Sequence, residues 1–172
     1  MERTPSQTIG PFFHEALRWR DGATVRFAEA GTAIVLSGHM FDGAGDPVGD
    51  AMIETWQRSP RGAPPAPAQG SATPHGFGRT ETAEDGTYRV YSLMPGGELP
   101  FIDVAIFARG LLKPLRTRVY LADETRVRAD LMLRPIADSP RVKSLIAAKT
   151  GAGAYRWDIR LQGEGETVFF AV

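Results

Sequence analysis

The sequence predicts an all-β sandwich with one short helix and an extended N-terminal arm, and three observations carry that expectation. Glycine (19) and proline (13) recur along the chain and separate short runs of β-branched and aromatic residues, as turns separate strands. Thr87–Leu93 (TYRVYSL) alternates with the period of two that half-buried strands require. Only one stretch carries a helix-start signal, Ser139 as N-cap with Pro140 in the first helical position.

Taken in order, Ala33–Phe41 (AIVLSGHMF) reads as a strand ended by Asp42-Gly43-Ala44-Gly45-Asp46-Pro47, and Val48–Gln57 as the next. Arg58–Gln69 holds Pro64, Pro65 and Pro67 and is expected as an irregular loop. Phe77–Thr82 leads to Asp85-Gly86, a tight-turn signal, and then to Thr87–Leu93. Pro95-Gly96-Gly97 makes another turn before strands at Phe101–Ala108, Leu115–Leu121 and Arg126–Leu133. The helix is expected from Ser139 to about Lys149, before Gly151. Ala154–Gln162 and Glu166–Phe170 then close the chain as strands joined through Gly163-Glu164-Gly165. No internal repeat or linker divides the chain, so one domain is expected over 1–172, with 1–31 as its arm.

The arm is the least ordinary segment. Thr4-Pro5-Ser6-Gln7-Thr8-Ile9-Gly10-Pro11-Phe12-Phe13-His14 combines two prolines, a glycine and adjacent aromatics. Pro5 and Pro11 lack an N–H and fix φ, so the segment makes a poor helix and a poor central strand. Its apolar residues suit an ordered arm laid against another surface better than a fraying tail.

Bulk properties exclude several functions. With 20 basic and 20 acidic residues there is no net charge to favour nucleic acid or an anionic membrane. The absence of cysteine removes disulfides, thiolate metal sites and a cysteine nucleophile. No run reaches the ~20 apolar residues of a membrane span, and the N-terminus lacks a signal-peptide layout. A soluble cytoplasmic protein is expected.

Catalytic chemistry is hard to find in the residues. His14, His39 and His75 share no metal-ligand spacing, and each reads as structural or solvated rather than as a ligand. Tyr88, Tyr91, Tyr120 and Tyr155 lie in strand patterns, where packing is the ordinary role. Asp103 interrupts an apolar strand and is expected to face out or to cap a turn. No phosphate cradle, nucleophile elbow or paired-cysteine cluster occurs. No catalytic residue and no metal ligand is therefore assigned.

Four segments nonetheless form a pattern: TPSQTIGPFFH, SGHMFDGAGDPVGDAMIETWQ, FGRTETAEDGTYRVYSLMPG and YRWDIRLQGEGETVFF. In this order, and together with IFARG (Ile106–Gly110), the chain resembles the intradiol ring-cleavage dioxygenases, and among them the α-type chains of the two-chain members. That resemblance implies a β-sandwich and an obligate partner, a related β chain that binds Fe(III) through two tyrosines and two histidines. The implied reaction inserts both atoms of O2 into a catechol, protocatechuate, to give 3-carboxy-cis,cis-muconate, in the catabolism of aromatic acids through the β-ketoadipate route. The family's His-x-His falls here on Phe101 and Asp103, and its tyrosines fall near Glu98 and Pro64. The resemblance thus implies a chain without iron that completes its partner's substrate pocket. Thr8, Gly10 and Pro11 of the arm and Arg109 of IFARG are the implied pocket residues.

Those roles suit the residue types. Gly10 permits close approach of a flat ring, Pro11 supplies a rigid apolar wall, and Arg109 offers a charged donor fork to a carboxylate. Alternatively, Arg109 forms a structural salt bridge across the interface and Thr8 caps a turn. The chain is also shorter than such α chains around Trp19–Gly31 and Met94–Phe101. A competing reading is a stand-alone binding module like the transthyretin or carboxypeptidase-regulatory domains, whose strand pattern Ser37–Glu54 also echoes.

Overall fold

The computed structural model describes residues 17–18, 20–67 and 74–171. Nine strands form two sheets: β1 (Ala33–Phe41), β2 (Met52–Trp56), β3 (Phe77–Glu81), β4 (Thr87–Leu93), β5 (Phe101–Phe107), β6 (Leu115–Tyr120), β7 (Ala148–Gly151), β8 (Ala154–Arg156) and β9 (Ile159–Arg160). The first sheet runs β4-β1-β8-β7, with β9 also paired to β1, and the second runs β3-β2-β5-β6. The expected sandwich is therefore what the chain forms.

Alternation explains how the sheets meet. In β1, Ile34, Leu36 and Met40 are buried while Val35, Ser37 and His39 are only partly covered. In β5, Ile102, Val104 and Ile106 face the same core, and Ile53, Val90 and Val119 join them from β2, β4 and β6. Each fully buried aliphatic side chain stabilises by about 1.5–3 kcal/mol relative to exposure.

The second half of the chain departs from expectation. Arg126–Leu133, expected as a strand, instead holds the helix α1 (Glu124–Arg128) and the start of a 3-10 helix, Leu131–Ile136. The reason is local capping: Asp123 accepts the backbone N–H of Arg126 at 3.1 Å, and Asp130 accepts that of Met132 at 2.9 Å. Ser139 caps the next element as expected, but Pro140–Leu145 is a 3-10 helix that ends where Ile146 becomes extended. The chain then pairs as β7 against β8 around Gly153, whose φ is +68°. The described residues thus carry three short helical elements where a single helix is expected. Val127, Leu133, Val142 and Leu145 of these turns pack with Tyr120 and Val168 into a second cluster beyond the β6 edge.

Glu166–Phe170 is not a regular strand either. Thr167 donates to Arg160 O at 3.0 Å and Phe170 to Arg116 O at 2.8 Å, so the segment passes from the β9 side of one sheet to the β6 edge of the other. No helix among the described residues is long and apolar enough to cross a membrane.

Candidate functional site

The antiparallel registers of the second sheet build one ordered row on its outer face. Phe77, Trp56, Asp103 and Arg118 stand opposite one another across β3, β2, β5 and β6, and Phe101 stands opposite Tyr120. The Trp56 and Phe77 rings lie 4.4 Å apart between centroids. The Arg118 guanidinium sits 3.6 Å over the Phe101 ring, and its Nε donates to Asp103 Oδ1 at 2.8 Å. A second contact, 3.7 Å long, reaches Asp130 Oδ2, which also accepts the Tyr120 hydroxyl at 2.7 Å.

Burial decides the electrostatics here. The Arg118 side chain is 14% exposed and that of Asp130 is 17% exposed. Burial is the largest single influence on Arg118 and lowers its pKa, but the hydrogen bond and charge of Asp103 together with those of Tyr120 outweigh it, so the net shift is upward. For Tyr120, burial and the bond to Asp130 push the phenol well up, so it stays protonated. Beside this network a groove of about 460 Å³ is lined by Trp56, Asp103, Arg116, Met132 and Phe170, among others.

This row contains two of the positions at which the resemblance sets iron ligands, and the residues present do not fit Fe(III). Phe101 supplies a ring without a donor atom, and Asp103 is engaged by a permanent cation. Glu98 is exposed in the turn after β4, and Pro64 is exposed in the proline-rich loop, where neither meets the row. Among the described residues, no group of three or more His, Asp or Glu side chains is placed to hold a metal ion.

Arg109 follows β5 in a turn closed by Leu111 N–H to Ala108 O at 3.2 Å. It forms an ion pair with Asp50, and the two residues stand where the β2/β5 register, continued by two positions, places them opposite each other. The partner is thus in the same chain, and the Arg109 side chain remains 71% exposed. Thr8, Gly10, Pro11 and His14 lie outside the described residues.

The remaining histidines and tyrosines have identifiable surroundings. His39 stacks on Phe41 at 5.8 Å, and its Nδ1 lies 3.8 Å from Asp158 Oδ1. His75 bridges to Ala66 through backbone. Tyr88 is buried and donates its hydroxyl to Trp157 O, and Tyr155 packs in the main core. Sequence reasoning left Arg118 and Asp130 unmarked. The signal for Arg118 was available, because LRTRVY alternates and puts Arg118 on the same face as Asp103. Asp130 gave no such signal, since its place depends on how the helical turns fold over β6.

Comparison with known proteins identifies the family and supports the fold. The family profile described as Dioxygenase matches residues 9–101, more than half of the chain. The protocatechuate 3,4-dioxygenase α chain of Pseudomonas putida is 34% identical over 194 residues, covering 99% of this chain and 96% of that one. Its counterpart from Burkholderia cepacia is also 34% identical, with 100% and 98% covered. Both alignments are longer than this chain, so it carries gaps relative to them. In fold it is similar to the dioxygenase domain of a dioxygenase carbohydrate-binding protein fusion from Streptomyces sp. SirexAA-E. The TM-score there is 0.61 at 24% identity, with 94% of this chain and 99% of that one covered. The chain belongs to the intradiol dioxygenase family, as a homologue of the protocatechuate 3,4-dioxygenase α chain.

Proposed function

We propose that this chain is the α subunit of a protocatechuate 3,4-dioxygenase, and that it completes a substrate pocket whose iron belongs to the β chain. One observation carries the reading. The chain aligns end to end with α chains, while the positions that would ligate iron hold Phe101, Asp103, Glu98 and Pro64. A sandwich preserved in full without a metal-ligand set is suited to a subunit that contributes surface rather than redox chemistry.

In this reading the substrate is protocatechuate, cleaved with O2 to 3-carboxy-cis,cis-muconate by the cytoplasmic αβ complex, and Fe(III) is held entirely by the β chain. The single domain of 1–172 presents 1–31 as an arm. Thr8, Gly10 and Pro11 line the pocket with small, rigid backbone, and Arg109 faces the substrate carboxylate. The exposure of Arg109 supports its role, because an arginine paired to Asp50 keeps further N–H donors available.

The test is co-expression with a protocatechuate 3,4-dioxygenase β chain. The expected result is a stable hetero-oligomer that consumes O2 on protocatechuate. If the two chains purify separately and no ring cleavage occurs, the subunit reading is overturned, and the stand-alone binding module takes its place.

A further inference from the structure

We propose that Arg118 is the chain's own counter-cation, seated against Phe101 and Asp103, the two positions of this sheet at which the resemblance implies iron ligands. The seat has a floor and oxygen walls: the Phe101 ring 3.6 Å beneath the guanidinium, Asp103 Oδ1 at 2.8 Å and Asp130 Oδ2 at 3.7 Å. The Tyr120 hydroxyl holds Asp130 in place at 2.7 Å. Its chemical preference is for a planar, delocalised cation. An aromatic face attracts such a cation, the Asp103 carboxylate accepts its Nε–H, and the Asp130 carboxylate stands within ion-pair distance.

The arrangement explains two substitutions at once. At the position of one imidazole, Phe101 offers a π face, which a guanidinium uses and a metal ion does not. At the other, Asp103 offers a negative charge, which fits a cation of fixed charge. Removing the guanidinium leaves two carboxylates, one of them largely buried, without the cation that pairs them. Breaking a partly buried pair in this way is strongly destabilising. The comparison with iron-bearing chains rests on the subunit reading. The seat rests on the contacts alone, so its test and the co-expression test can fail independently.

Chemical rescue tests the seat in the full-length chain. Arg118→Gly is expected to lower Tm by about 6 °C or more. Guanidinium chloride at about 10 mM, far below its denaturing range, is expected to recover most of that loss, while sodium chloride at equal ionic strength is not. Arg141→Gly, which breaks the exposed pair with Glu166, serves as the control and is expected to show no rescue. An unchanged Tm, or a loss that guanidinium does not repair, overturns the proposal. If Arg118→Gly yields no soluble protein, the cycle of Arg118→Met, Asp103→Asn and the double variant decides. A double variant more stable than Arg118→Met alone supports the seat, and additive losses overturn it.

Discussion

Arg109, proposed to face the substrate carboxylate, is also tied to the fold through Asp50. Their ion pair sits at the end of the β2/β5 ladder, and its high exposure limits what it contributes to stability, because solvent screens it. The same exposure leaves the guanidinium available to a ligand. In the αβ complex, Arg109→Ala is expected to raise KM for protocatechuate by about 10-fold or more, the worth of a charge-assisted hydrogen bond. Turnover of catechol, which has no carboxylate, is expected to change little. Steady-state kinetics on the two substrates checks this, and equal effects on both would show that Arg109 does not read the carboxylate. Its candidacy was legible from the IFARG motif, whereas its pairing with Asp50 was not, because strand register is a tertiary property.

At the scale of elements, β1 is the strand around which the first sheet is arranged. It pairs antiparallel with β4 but parallel with β8 and β9, and the break between those two falls at Trp157-Asp158. Trp157 O accepts the buried Tyr88 hydroxyl at 2.5 Å, and His39 N–H donates to Asp158 Oδ1 at 3.0 Å. Gly38 makes that break possible, since a Cβ there would lie 1.8 Å from Trp157 O. Gly38→Ala is expected to destabilise the chain by about 3 kcal/mol or more through overpacking against backbone. Urea unfolding measures it, and a loss within the error of the wild type would refute the close approach. Alternation in AIVLSGHMF and TYRVYSL made β1 and β4 readable as strands. The parallel partners were not readable, because contacts over more than a hundred residues leave no local pattern. Arg126–Leu133 was misread as a strand because its apolar residues serve a cluster outside the sheets and its capping aspartates outweighed the alternation.

For the molecule as a whole, the outer face of the second sheet carries Phe101 and Asp103 where the resemblance implies iron ligands. Purified alone, the chain is expected to carry no stoichiometric iron and to leave protocatechuate intact. Metal analysis and oxygen uptake check both, and one iron per chain would refute the assignment. The sequence by itself determined that this is a β-sandwich of the intradiol family, since turn residues and alternation are local and the motifs are contiguous. Through the resemblance it also set Phe101, Asp103, Glu98 and Pro64, none of them histidine or tyrosine, at the implied ligand positions. Only the tertiary structure decided what Phe101 and Asp103 meet there. Asp103, Arg118 and Asp130 come from a strand, its neighbour and a helical excursion, and their meeting on one aromatic floor is fixed by register and packing.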